Sequence, residues 1–72
     1  MNSKLLRSIM LMHGDTNKTL SEYLGISETS LSNRINSRGT DFRQGEIVAI
    51  KNRYNLTADQ VEEIFFATEC LN

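Results

Sequence analysis

Residues 17–35 constrain this chain most: two stretches of helical period are joined by nothing longer than Gly25-Ile26-Ser27. Leu20 and Leu24 lie four apart on one face of a helix predicted from about Asn17 to Leu24, with Thr16 as its cap. Gly25 reads as the stop, because glycine accepts the left-handed backbone that ends many helices. Ser27 caps the next helix, and Ile26 and Leu31 stand at the spacing of a hydrophobic staple around that cap. Leu31 and Ile35 then form its inward face. A turn this tight needs apolar residues where the two helices meet, and Leu20, Leu24, Ile26 and Leu31 supply them.

The rest of the chain is punctuated in the same way. A first helix is predicted from about Lys4 to His13, capped by Ser3 and ended by Gly14, with Leu5, Leu6, Ile9, Met10 and His13 along one face. Residues 37–41 read as a loop, and Phe42 plugs the core from its end. A fourth helix follows from about Gln44 to Arg53, with Ile47, Ile50 and Tyr54 at helical spacing; Gly45 weakens its first turn by up to about 1 kcal/mol. Thr57 with Gln60 fits a capping box and Leu56 with Val61 a staple, which starts a fifth helix whose Val61, Ile64 and Phe65 face inward. The 72 residues include no proline. The expectation is one all-α domain over residues 1–72, a compact five-helix bundle.

Composition narrows the function. Apolar residues at 39% and charged residues at 24% are ordinary for a folded domain and argue against disorder. The one cysteine, Cys70, cannot form an internal disulfide, and with the one histidine, His13, it cannot build a metal cluster. His13 reads as a helix-end residue. Ser27 and Ser30 have no base nearby in sequence to activate them, and no phosphate-binding glycine loop is present. No catalytic residue, metal or cofactor is therefore expected. Without a membrane-length apolar run or a signal-peptide pattern, the expected location is the cytoplasm.

The run Thr19-Leu20-Ser21-Glu22-Tyr23-Leu24-Gly25-Ile26-Ser27-Glu28-Thr29-Ser30-Leu31-Ser32 resembles the helix-turn-helix of Cro/repressor-type phage regulators, the Leu-Gly-Ile-Ser core most of all. Tyr54-Asn55-Leu56-Thr57 resembles that family's passage into its fifth helix. Glu63-Ile64-Phe65-Phe66 is similar to the ending of small Cro-like and repression-modulating proteins of temperate phages of Gram-positive bacteria. Nearly the whole chain is covered. One departure is that Leu31 and Ile35 are four apart where many relatives space these positions by three, which implies a longer or rotated recognition helix. The resemblance implies a lambda-repressor-like DNA-binding domain in the cytoplasm of a bacterial host. Its recognition helix, residues 28–36, would lie in the major groove of a double-stranded operator.

Helical rotation puts Thr29, Ser32, Asn33 and Asn36 on the face away from Leu31 and Ile35, with Glu28 at the head of the helix. The resemblance implies base contacts from Glu28, Thr29 and Asn33. Asparagine can pair with adenine, threonine can touch a thymine methyl, and glutamate can accept from cytosine. Ser32 and Asn36 join them as candidates from their place on that face. Asn17 matches the family's phosphate anchor, and Lys18, Arg38 and Arg43 are further candidate phosphate contacts. Glu28 is explained slightly better by the favourable field at a helix start, because an acid aimed at DNA repels phosphate unless a cytosine amine receives it.

Charge is divided unevenly. Residues 1–53 hold all eight basic side chains against five acids, a net +3, while Asp59, Glu62, Glu63 and Glu69 leave residues 54–72 at −4. The first function expected is a Cro-like DNA-binding regulator of a lysis/lysogeny switch, acting as a dimer on a palindromic operator. The alternative is an antirepressor, a modulator that binds the phage's own repressor through its acidic end, with Glu62, Glu63 and Phe66 as the candidate contacts.

Overall fold

The computed structural model describes residues 1–36 and 41–66. Arg38, with the rest of the expected loop at 37–40, lies outside the described residues, as do Glu69, Cys70 and Leu71. Among the described residues there are five helices and no strand: α1 Ser3–Met12, α2 Asn17–Leu24, α3 Glu28–Ile35, α4 Gln44–Tyr54 and α5 Ala58–Phe65. Nowhere among them is a helix long and apolar enough to cross a membrane.

The caps explain the boundaries. Thr16 Oγ1 accepts from Thr19 N–H at 3.2 Å while Thr19 Oγ1 accepts from Thr16 N–H at 2.9 Å, so α2 opens with a reciprocal box. Gly25 ends α2 at φ 75°, a left-handed conformation. Ser27 Oγ accepts from Ser30 N–H at 3.0 Å to open α3. Thr57 and Gln60 exchange the same pair of bonds at the head of α5. Asn55, at φ 53°, turns the chain between α4 and α5.

Helix α1 corrects the expected cap. Asn2, not Ser3, does the capping: its Oδ1 accepts from Leu5 N–H at 3.1 Å. Two long-range bonds decide between these neighbouring residues, both of types that cap well. Asn2 N–H donates to Ile64 O at 2.7 Å, which ties the chain start to α5. Ser3 Oγ donates to Ile35 O at 2.6 Å, filling a carbonyl left open at the end of α3.

The core draws on every helix: Leu6, Ile9 and Met10 from α1, Leu20 from α2, Leu31 and Ile35 from α3, Ile47, Ile50 and Tyr54 from α4, and Ile64 from α5. Phe42 plugs it from between α3 and α4, as expected, and meets Phe65 edge to face with centroids 5.4 Å apart. Leu24 and Ile26, the residues assigned to the junction of α2 and α3, are half-buried against this core. Helix α2 packs on α3, and α5 packs on both α1 and α4.

Candidate functional site

The α2–α3 surface displays most of the residues singled out from the sequence. Asn17 and Lys18 are exposed in the first turn of α2, and Glu28 and Thr29 in the first turn of α3. Ser32 and Asn33 are half-buried, so they present less of themselves to a groove than helical rotation alone implied. Asn36 is exposed just past α3, and its amide is engaged on both sides. Its Oδ1 accepts from Arg7 Nη2 at 2.7 Å, and its Nδ2 donates to Ser32 Oγ at 3.3 Å. Arg7, from α1, thus brings a cation to the end of α3. Sequence reasoning did not pair it with Asn36, and nothing local in either segment signals a contact across that separation.

Two other cations are turned inward. Arg34 is buried, at 9% exposure, on the Leu31–Ile35 side of α3. Its Nε lies 2.9 Å from Glu46 Oε1 in α4, close enough for an ion pair, yet its N–H is not aimed to form a hydrogen bond there. The same Glu46 oxygen accepts Arg43 N–H at 3.0 Å. This is half of a capping box, because a guanidinium has no acceptor with which to return the bond. Arg43 itself is exposed at the head of α4.

Arg53 is committed to Asp15. Its Nε and Nη2 donate to the two carboxylate oxygens at 2.8 Å each, and its guanidinium carbon sits 4.5 Å from the Tyr23 ring centroid. Asp15 also accepts from Tyr54 Oη at 2.6 Å and Thr19 Oγ1 at 2.9 Å. The Arg53 hydrogen bonds above all, with those from Tyr54 and Thr19, hold the Asp15 carboxyl well below the usual carboxylate range against the opposing effect of burial. Burial, then the Asp15 contact, pushes the Tyr54 hydroxyl above its ordinary value. His13 completes the cluster, its ring centroid 4.8 Å from that of Tyr54. The cluster ties the α1–α2 turn to α4. Within it Asp15, Thr19, Arg53 and Tyr54 satisfy one another.

The consequence for α3 is electrostatic. Its one basic residue, Arg34, is spent on Glu46, and its exposed charge is Glu28. The exposed cations among the described residues are on other elements, at Lys4, Arg7, Lys18, Arg43 and Lys51, and of these Arg7 reaches the end of α3 through Asn36.

At the other candidate surface, Glu62 and Glu63 are exposed on α5, and Phe66 follows the helix at 59% exposure. Tyr54 is buried and Phe65 half-buried, so of the three aromatic residues near this end Phe66 is the outward one. Phe66 borders a cleft of about 320 Å³ shared with Met1, Asp41, Phe42, Ile47 and Phe65.

Comparison with known protein families, with characterised proteins and with solved structures gives no match to this chain.

Proposed function

We propose that this chain is a regulator of a phage-type genetic switch, built on a helix-turn-helix scaffold, that works by binding the cognate repressor and altering that repressor's hold on DNA. The scaffold reading rests on α2 and α3, two short helices packed together and joined through left-handed Gly25. The observation that carries the mode of action is the charge of α3. A helix that enters a groove of DNA works between two rows of phosphates, and cation–phosphate contacts supply much of the affinity. Here the arginine of α3 is buried against Glu46, and the exposed charge of that helix is the acid Glu28. With that charge α3 itself gains little from a polyanion, and α5, which carries Asp59, Glu62 and Glu63 and no base, suits a basic protein partner. The site of action would be the cytoplasm of a bacterial host.

A second reading, direct operator binding through α3, is favoured by the exposed Thr29 and the exposed phosphate candidates Asn17, Lys18 and Arg43. One experiment separates the two. A mobility shift is run on random duplex and on operator DNA at low and moderate salt, with and without the cognate repressor. The modulator reading expects no shift by this chain alone and a changed repressor shift when both are present. A sequence-selective shift by this chain alone would establish the second reading in its place.

A further inference from the structure

The cleft at the α5 end has an apolar floor, one acid in its lining, Asp41, and the acidic helix α5 beside it. Phe42 and Phe65 meet edge to face within it, Ile47 and Met1 extend the apolar wall, and Phe66 stands at its edge. Asp41 lines it directly. Glu62 lies one helical turn before Phe66, whose N–H donates to Glu62 O at 3.0 Å, so acid and ring share one stripe of the helix. Helix α5 carries Asp59, Glu62 and Glu63, and no base. None of these three carboxylates takes part in an ion pair with another described residue, in contrast to Asp15 and Glu46.

We infer that this cleft is the docking site for an amphipathic helix of a basic protein, which seats an apolar side chain against Phe66 and Phe42 and sets lysine or arginine against Glu62 and Asp41. The inference rests on the repressor-binding reading and names its surface. Charge selects the occupant. A second copy of this chain docked through a two-fold axis would bring Asp41, Glu62 and Glu63 against themselves, and like charges at close range in a partly dry interface oppose association. A nucleic acid meets the same repulsion. A cationic helix gains both the apolar anchor and the charge match, with long-range attraction speeding its approach.

The test uses the full chain with two probes in calorimetric titration: the purified cognate repressor, and a short synthetic helical peptide with leucine on one face and lysine on the other. Phe66→Ala removes a side chain that is mostly in solvent, so the fold is expected to melt as before. Its affinity for both probes is expected to fall about 30-fold or more, the loss of a central aromatic anchor. Glu62→Gln is expected to slow association and flatten the salt dependence. Thr29→Ala, on α3, is expected to bind both probes like the parent chain. Undiminished binding by Phe66→Ala overturns the inference, as does a parent chain that takes up neither probe. Uptake of the peptide alone upholds the surface and overturns the repressor reading instead. Stable self-association, lost in Phe66→Ala, would make a second copy the occupant and so overturn the inference.

Discussion

Asp15 and Arg53 are held in a two-pronged pair, Nε to Oδ2 and Nη2 to Oδ1, each at 2.8 Å, between the turn after α1 and the last turn of α4. Tyr54 Oη adds a third bond to the same carboxylate at 2.6 Å. Truncating Asp15 therefore strands a buried hydroxyl, while Arg53, its side chain 28% exposed, can turn partly to water. Asp15→Ala is expected to cost about 1–3 kcal/mol, the range for leaving a buried donor without its acceptor. Urea denaturation at neutral pH reads this directly, and an unchanged midpoint would show that the pair contributes nothing.

The pair also sets a pH dependence whose sign is fixed. The folded-state pKa of Asp15 is depressed, so its stabilisation is fully present above the unfolded value of about 3.9 and is lost as pH falls below it. The folded-state pKa of Tyr54 is raised, so its contribution is present below about 10 and is lost as pH climbs beyond that. Asp15→Asn is expected to differ most from the parent chain between pH 5 and pH 9, with the gap closing towards about pH 2. A gap that stays constant into acid would show that Asp15 titrates normally in the folded chain.

Glycine-to-alanine substitution is expected to change sign between two sites. At Gly25 an added Cβ meets nothing within 4 Å, so the cost is that of φ 75° alone, about 1–2 kcal/mol. At Gly45, in the first turn of α4, the space is equally open and φ is not positive. Alanine there is expected to add about 0.4–1 kcal/mol by restricting the unfolded chain. Melting temperatures moving in the same direction would contradict the backbone assignment at one of the two.

Local chemistry made the helices legible. Thr16, Ser27 and Thr57 announce helix starts within a few residues of themselves, and Gly25 announces a stop, so α2, α3 and α5 begin where the sequence places them. The Asn2–Ser3 start was not decidable in this way, because partners on α3 and α5 choose between two good caps. The Asp15–Arg53 pair was illegible for the same reason: no period connects a turn residue to the end of a distant helix. Arg34 did leave a signal: it follows Leu31 by three and precedes Ile35, which places it on the buried stripe of α3. What depends on spacing along the chain could be read, and what depends on which helices meet could not.

Leu31 tests the α2–α3 junction. It is fully buried beneath the turn and stands at staple spacing to Ile26. Leu31→Ala is expected to destabilise the fold by about 2–5 kcal/mol. Thermal melting that is insensitive to this change would place the core elsewhere.

Arg34 separates the two functional readings most sharply, because it is the one basic residue of α3 and is already engaged. Glu46→Ala removes its countercharge together with the acceptor for Arg43 N–H, and breaking a buried pair from one side costs about 3–5 kcal/mol. Arg34→Met leaves Glu46 with that N–H and with the favourable field of the α4 N-terminus, so it is expected to cost clearly less. If this chain binds DNA directly, each exposed phosphate contact adds about 0.9 to the slope of log affinity against log salt. Lys18→Ala and Arg43→Ala are then each expected to lower that slope by about 0.9, and Arg34→Met to leave it unchanged. A lowered slope in Arg34→Met would mean that Arg34 leaves Glu46 for a phosphate on binding. The charge argument against direct reading by α3 would then fail at its central residue. An unchanged slope, with repressor binding intact in the same variant, would place Arg34 in the scaffold and the partner-binding chemistry elsewhere on the chain.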